Sequence, residues 1–144
     1  MSHIQITGCQ VEELPPRRLI GKRYTNQDRD QAGSFSPKWK LWLQNRCCEP
    51  LYPLTMPGIG EDILGFMRCA DGNFEYWIGR HCRPDAVAPA GYEYLDLPAA
   101  KVAVVFLRGE PNDPSIFGMH DESLKYLAQK GFTLAKPPFF AERY

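Results

Sequence analysis

The chain has 144 residues, of which 44% are hydrophobic and 24% are charged, and its 17 Lys and Arg balance its 17 Asp and Glu. This length predicts a single domain over residues 1–144, and the composition excludes a collagen or a disordered tail. The longest apolar run, Val102–Leu107, is far shorter than the roughly 20 residues that span a bilayer. The first ten residues contain no apolar signal core, so we expect a cytoplasmic protein with no membrane partner.

The balanced charge argues against nucleic acid as a direct partner, because duplex binding requires clustered cations that displace counterions. The five cysteines form no CxxC motif, and Cys47 and Cys48 are adjacent. Without a secretion signal they are expected to be reduced thiols. The three histidines are scattered, and we predict neither a metal site nor a cofactor.

Proline and glycine delimit the predicted elements of the first half. Val11–Tyr24 is predicted to be a strand that Pro15 and Pro16 interrupt, and residues 25–35 form a polar loop. Ser36 followed by Pro37 is typical of a helix start. The helix that follows carries an apolar stripe at positions i, i+3 and i+4, formed by Trp39, Trp42 and Leu43.

The later elements are predicted in the same way. Asp71-Gly72 is a strong hairpin signal, and Gly131 is suited to end a helix. The predicted elements are strands Asp62–Ala70 and Asn73–His81, a long strand Tyr92–Arg108, a helix Ser115–Lys130 and a last strand Phe132–Tyr144.

The order is β-α-β-β followed by β-α-β. It predicts an α+β fold of two βαββ-type units related by a pseudo-twofold axis, with an antiparallel sheet and two helices on one face. The second unit lacks its last strand. The groove between the two halves is the expected ligand site.

A series of motifs along essentially the whole chain resembles the GyrI-like small-molecule-binding domain, which also forms the effector-binding part of AraC- and MerR-type transcription activators. The motifs follow in the family's order. They are Leu19-Ile-Gly-Lys-Arg-Tyr24, the helix with Trp39 and Trp42, Gly65-Phe-Met67, Asn73-Phe-Glu-Tyr-Trp-Ile-Gly79, Leu97-Pro-Ala-Ala-Lys-Val-Ala-Val-Val-Phe106 and Phe140-Ala-Glu-Arg-Tyr144.

The resemblance implies two βαββ units with varied, often cationic and aromatic, ligands between them. Some stand-alone members resemble hydrolases of cyclopropane-bearing genotoxins, and others are named for protecting or inhibiting DNA gyrase. It also implies a further strand after Tyr144, where this sequence stops, and an open sheet edge would favour a homodimer. Ala141 stands where the family's motif has Phe before the Glu.

Glu142 is the leading candidate for chemistry. Strand alternation places Phe140, Glu142 and Tyr144 on one face, and a carboxylate among aromatic rings is costly unless it is paired with a cation or holds a water. In the alternative, Phe139, Ala141 and Arg143 face the core and Glu142 faces solvent. The resemblance places the family's functional acid in this motif and favours the first arrangement.

Aromatic side chains are the second signal, since each ring face attracts an organic cation by roughly 0.5–2 kcal/mol. In the segment Phe74–Gly79, alternation places Phe74, Tyr76 and Ile78 on one face and Glu75, Trp77 and Gly79 on the other. Each aromatic or methionine candidate can instead be an ordinary core residue. The predicted ligand-binding residues are Glu142, Tyr144, Trp77, Tyr76, Trp42, Trp39, Phe66 and Met119.

No GxSxG, HExxH, GxGxxG or P-loop motif is present. Three functions therefore stay open. The favoured one is a stand-alone domain that binds cationic or aromatic compounds, for sensing or sequestration linked to transcription regulation. The second is a hydrolase of reactive small molecules with Glu142 as the general base. The third is a protein–protein module such as a gyrase-inhibitor-like protein.

Overall fold

The computed structural model describes residues 4–59, 61–110, 119–133 and 140–143. These residues form antiparallel sheets and a few helices, so the predicted α+β class is confirmed. The chain divides into two compact units. One unit comprises Met1–Leu14 and Ala100–Ala135, and the other comprises Pro15–Ala99 and Lys136–Tyr144.

The first unit contains a two-stranded antiparallel sheet and one helix. Strands β1 (Gln5–Leu14) and β6 (Ala100–Arg108) pair from Gln5 opposite Arg108 to Leu14 opposite Ala100. Helix α2 (Met119–Gln129) is followed by Gly131, whose φ of 88° is the left-handed conformation of a helix stop. The predicted end of this helix is therefore confirmed, whereas residues 115–118 of the predicted helix lie outside the described residues.

The second unit contains a five-stranded antiparallel sheet in the order β5-β2-β4-β3-β7. Its strands are β2 (Arg17–Tyr24), β3 (Leu64–Ala70), β4 (Asn73–Cys82), β5 (Glu93–Leu97) and β7 (Phe140–Arg143). The central strand β4 is buried continuously from Glu75 to Cys82. A strand covered on both faces holds side chains in two separate environments.

The turn between β3 and β4 is the predicted hairpin. Asp71 and Gly72 have φ values of 53° and 78°. Positive φ at both central residues is the pattern of a type I′ turn, whose twist matches that of the flanking strands. This turn sets the register that places Phe66 opposite Trp77 and Met67 opposite Tyr76.

Helix α1 (Ser36–Gln44) begins at the predicted Ser36 with Pro37 in its first turn. Trp42 is 1% exposed and packs into the larger core cluster of this unit, but Leu43 is 61% exposed, so its place in the predicted apolar stripe is wrong. Leu43 follows Trp42 by about 100° around the helix, which turns it away from the sheet. The cluster around Trp42 includes Ile20, Phe35, Leu51, Tyr76, Ile78 and Cys82.

Two of the predicted long strands are wrong, because each consists of two shorter strands that belong to different sheets. Val11–Tyr24 breaks at Pro15-Pro16 into β1 and β2, and Tyr92–Arg108 breaks at Pro98-Ala99 into β5 and β6. Proline cannot donate to a ladder, so the pairing ends there. The single predicted sheet is therefore two sheets among the described residues. The guanidinium of Arg17 contacts both proline segments, because its Nη1 donates to the carbonyls of Pro15 (3.3 Å) and Pro98 (2.8 Å).

The last predicted strand, Phe132–Tyr144, is described only in part. Strand β7 covers Phe140–Arg143 and pairs antiparallel with β3, whereas residues 134–139 and 144 lie outside the described residues. No helix in the described part of the chain is long and apolar enough to cross a membrane.

Two glycines face each other across the centre of the sheet. Gly21 on β2 pairs with Gly79 on β4, and both are buried. A Cβ on Gly79 would overlap the carbonyl of Ile20, and a Cβ on Gly21 would overlap that of Ile78. Gly79 therefore allows a neighbouring backbone to approach closely, which is one reason for a glycine inside a strand.

We expect Gly79→Ala to destabilise the protein by about 3 kcal/mol, because the overlapping atoms belong to the backbone of the facing strand and cannot turn aside. Gly33→Ala is the matched control. Its added methyl meets open space and its φ of 79° is the only source of strain, which is worth about 1–2 kcal/mol. Urea unfolding measures the free energy of unfolding of both variants. Equal losses in the two would contradict the close approach of β2 and β4 at Gly79.

Candidate functional site

Glu142 and Tyr76 lie on the same face of the five-stranded sheet. In the register, Glu142 stands opposite Gly65, and Phe140 stands opposite Met67, which in turn faces Tyr76 on β4. Directly opposed residues on neighbouring strands project to the same side. This is the side on which helix α1 packs, because Tyr76 belongs to the core cluster that contains Trp42.

Helix α1 contributes Trp39 to the same place. The indole Nε1 of Trp39 donates a hydrogen bond to the hydroxyl of Tyr76 at 2.8 Å. Gly65 lies beneath this bond, since a Cβ there would overlap the Tyr76 hydroxyl and would lie 3.3 Å from Cζ2 of Trp39. We call Trp39, Gly65, Tyr76 and Glu142 the aromatic–carboxylate site.

The electrostatics of this site are those of a neutral phenol beside a carboxylate. Burial raises the pKa of Tyr76 to about 12, and the negative charge of Glu142 acts in the same direction. Tyr76 therefore stays protonated at neutral pH. Because its oxygen accepts from Trp39, its own O–H is the group that can donate. Trp39 and Glu142 are each half-buried, whereas Tyr76 is 5% exposed.

A row of aromatic rings extends from Tyr76. Phe35 stacks on Tyr76 with a centroid separation of 4.3 Å and an interplanar angle of 7°, and the centroid of Phe74 lies 6.3 Å from that of Phe35. We call Tyr76, Phe35 and Phe74 the aromatic row. The guanidinium carbon of Arg29 lies 4.6 Å from the centroid of Phe35 and 5.0 Å from that of Phe74. The protein thus already places a cation on these ring faces.

The arrangement can stabilise a positive charge next to ring faces. Glu142 supplies a negative charge, the half-buried Trp39 ring supplies apolar surface, and the Tyr76 hydroxyl supplies one donor. Glu142 is half-buried, so its charge is less screened than that of a fully exposed carboxylate.

The opposite face of the sheet carries another predicted pair. Trp77 and Phe66 lie opposite each other in the register and belong to the second core cluster, with Leu19, Leu64 and Leu97. They are 3% and 4% exposed. The structure therefore does not bring Trp77 and Phe66 together with Glu142.

A different carboxylate, Glu75, belongs to this opposite face and is 8% exposed. It accepts hydrogen bonds from Nε1 of Trp77 (3.0 Å) and Nε of Arg68 (2.9 Å), and an Arg23 nitrogen lies 3.6 Å away. Burial alone would raise the pKa of Glu75, but these hydrogen bonds and arginine charges hold it below its usual range. The protein's own groups neutralise this carboxylate.

The other predicted site residues lie elsewhere. Trp42 donates from Nε1 to Sγ of Cys48 at 3.3 Å and lines a cavity of about 150 Å³, which is below the roughly 300–1,000 Å³ of ligand pockets. Met119 begins α2 in the first unit, and Tyr144 lies outside the described residues. The structure thus brings together three of the eight predicted residues, namely Trp39, Tyr76 and Glu142.

Sequence reasoning missed Gly65, which belongs to the site, and Arg29, which lies on the adjoining aromatic rings. Gly65 lies within a predicted strand, and an isolated strand glycine is a signal of close approach that could have identified it. Arg29 lies in a polar loop, where an arginine carries no signal of its own, and only the folded loop places it on Phe35.

A further buried pair lies between β2 and β4. Leu19 faces His81 in the register, and Nε of the neighbouring Arg17 donates to Nε2 of His81 at 3.3 Å. Arg17 and His81 are 7% and 6% exposed. Burial lowers the pKa of His81 to about 4, the charges of Arg17 and Arg143 also lower it, and a hydrogen bond with the Ile59 backbone opposes the shift. His81 is therefore neutral at pH 7.

Comparison with solved structures identifies the fold. The chain is similar to SAV2435 bound to tetraphenylphosphonium, with 22% identity and a TM-score of 0.70 over 96% of this chain and 83% of that one. It is also similar to a putative transcription regulation protein from Staphylococcus aureus MU50, with 20% identity and a TM-score of 0.65 over 95% and 86% of the two chains. An integron cassette protein from Vibrio cholerae gives 14% identity and a TM-score of 0.56 over 99% and 92%.

No family model and no curated protein matches the sequence. The first two solved structures are of the GyrI-like small-molecule-binding domain, so at the level of the fold the resemblance drawn from the sequence motifs is confirmed.

The buried imidazole of His81 predicts loss of stability in acid. The unfolded chain takes up a proton near pH 6.5, whereas the folded chain does so near pH 4. Stability should therefore fall by about 3 kcal/mol as the pH drops through this window, and the contribution of His81 should level off below it. Urea unfolding at a series of pH values gives the free energy of unfolding at each pH, and therefore its slope against pH.

His81→Gln removes the titrating group and keeps an acceptor for Arg17, so its slope across the same window should be flatter. His120→Gln is the control, because His120 is exposed, and it should keep the full slope. A His81→Gln curve parallel to that of the unaltered protein would show that His81 is not the group responsible.

Proposed function

We propose that this protein binds small organic cations with aromatic substituents at the aromatic–carboxylate site, as a sensing or sequestering domain. The observation that carries the proposal is the position of Glu142 beside the hydrogen-bonded Trp39–Tyr76 pair on one face of the sheet. This is the arrangement of charge and ring surface that an organic cation requires.

The physical argument rests on two complementary attractions. Each aromatic face contributes roughly 0.5–2 kcal/mol toward a cation, and a carboxylate at the surface of a protein adds Coulomb attraction of a few kcal/mol at contact distance. Tyr76, with its pKa of about 12, remains a neutral ring with a donor. The bond to Trp39 holds both rings in place before a ligand arrives, which reduces the entropy lost on binding.

The two faces of the sheet differ in the way this proposal needs. Glu75 is buried and already held by Trp77, Arg68 and Arg23. A ligand cation there would have to displace two arginines. Glu142 lies on β7 and is half-buried rather than buried, so a ligand can reach it from solvent. The face of Tyr76 is therefore better suited to a cation than the face of Trp77.

The similar structure of SAV2435 holds tetraphenylphosphonium. This cation has a delocalised charge, four phenyl groups and no hydrogen-bond donor. It suits a site that offers ring faces and one negative charge, and it supports the choice of chemical class. It is also a convenient probe, because tetraphenylborate has the same shape and the opposite charge.

We expect Glu142→Gln to weaken tetraphenylphosphonium binding about tenfold or more, because the substitution removes the charge and keeps the size of the side chain. Glu61→Gln is the control, since Glu61 is exposed, and it should bind as the unaltered protein does. Isothermal titration calorimetry on the whole chain measures all three affinities.

Tetraphenylborate separates charge recognition from general apolar binding. It should bind to the unaltered protein much more weakly than tetraphenylphosphonium does, and its affinity should increase in Glu142→Gln. Equal binding of the two ions to the unaltered protein, or no effect of Glu142→Gln on the cation, would overturn the assignment of Glu142.

Gly65→Ala tests the geometry of the site. The added methyl would overlap the hydroxyl of Tyr76, and Tyr76 cannot move aside easily because it stacks on Phe35 at 4.3 Å. We expect the variant to lose about 1–3 kcal/mol of stability and to bind tetraphenylphosphonium several-fold more weakly.

The double variant Gly65→Ala/Tyr76→Phe lacks the hydroxyl that the methyl overlaps. It should therefore be more stable than Gly65→Ala alone, although it also lacks the bond to Trp39. Thermal unfolding followed by tryptophan fluorescence compares the two, and a double variant that is less stable by the sum of the single effects would contradict this geometry.

A further inference from the structure

Arg29 is held in place on the aromatic row by the loop that precedes helix α1. Its Nε donates to Oδ1 of Asn26 at 2.9 Å, and its Nη1 donates to the carbonyl of Gly33 at 2.7 Å. These bonds fix the guanidinium over the faces of Phe35 and Phe74, with its carbon 4.6 and 5.0 Å from their centroids. An exposed arginine with this many partners occupies a defined position.

The charge of Arg29 reaches the aromatic–carboxylate site. Phe35 links the two, since it lies under Arg29 and stacks on Tyr76 at 4.3 Å. The positive charge of Arg29 lowers the pKa of Tyr76, whereas the negative charge of Glu142 raises it. The hydroxyl of Tyr76 therefore lies within the electric fields of both Arg29 and Glu142.

We propose that Arg29 is a specificity-determining residue that restricts the site to ligands with a single positive charge. The proposal rests on the proposed function, because it concerns which cations the aromatic–carboxylate site accepts. A monocation places its charge by Glu142 and its rings against Trp39. A second charge carried along the aromatic row meets the guanidinium of Arg29.

Two effects act together against the second charge. The ring faces of Phe35 and Phe74 already hold a cation, so they offer little further attraction to another. Two like charges about 8 Å apart near a protein surface repel by an amount equivalent to roughly threefold to thirtyfold in affinity. Between exposed groups this repulsion falls as salt is added.

The test compares one monocation and one dication of related structure, namely tetraphenylphosphonium and an alkane-bridged bis(triphenylphosphonium). Calorimetry gives the ratio of their dissociation constants for the unaltered protein and for Arg29→Gln. We expect Arg29→Gln to improve dication binding about threefold to tenfold more than monocation binding at low salt. The gain should shrink in about 0.5 M NaCl.

Two further variants show whether charge is the cause. Arg29→Lys keeps the positive charge and should keep the discrimination. Arg83→Gln removes one charge from an exposed arginine that also donates to a carbonyl, that of Pro53 at 3.0 Å, and it should leave the ratio unchanged.

The outcomes separate the two proposals. If the unaltered protein binds tetraphenylphosphonium and Arg29→Gln leaves the ratio unchanged, or Arg83→Gln changes it equally, the role of Arg29 is overturned and the binding function stands. If neither cation binds to the unaltered protein or to Arg29→Gln, the binding function and the role of Arg29 are both overturned.

Discussion

The second unit depends on a single strand that is buried on both faces. In β4, residues from Glu75 to Cys82 are all covered, so successive side chains enter two different environments. Tyr76 and Ile78 enter the cluster beneath α1, and Trp77 enters the cluster on the other side. The site follows from this alternation, because the register of β3 and β7 then decides which carboxylate lies beside which ring.

The two carboxylates near β4 lie in different environments. Glu75 is buried, and such a charge must be compensated by the protein. Trp77, Arg68 and Arg23 compensate it, which leaves little for a ligand to gain. Glu142 is half-buried on β7 beside a tyrosine that stays neutral, so under the proposed function a cation from solvent reaches it more easily than it reaches the buried Glu75.

Local patterns predicted the elements that have local causes. The Asp71-Gly72 hairpin, the start of α1 and the stop at Gly131 each follow from the conformational preferences of one or two residues. The sheet topology did not follow, because a strand pattern interrupted by proline looks the same whether the chain continues in one sheet or changes to another. In the site, alternation correctly grouped Phe74 with Tyr76. It could not show that α1 brings Trp39 to the Tyr76 hydroxyl, since this contact joins residues 37 positions apart.

Position on the sheet also explains why so few of the predicted aromatic residues meet at one place. Ring surface stabilises a core as readily as it attracts a cation, so aromatic content alone does not distinguish the two roles. What distinguishes Tyr76 from Trp77 is the group that each indole or hydroxyl contacts. The Trp77 indole donates to a carboxylate that arginines already hold, whereas the Tyr76 hydroxyl accepts from Trp39 and keeps its proton beside Glu142. Under the proposed function, the polar end of each ring, rather than its area, therefore distinguishes the face of the sheet that receives the ligand cation.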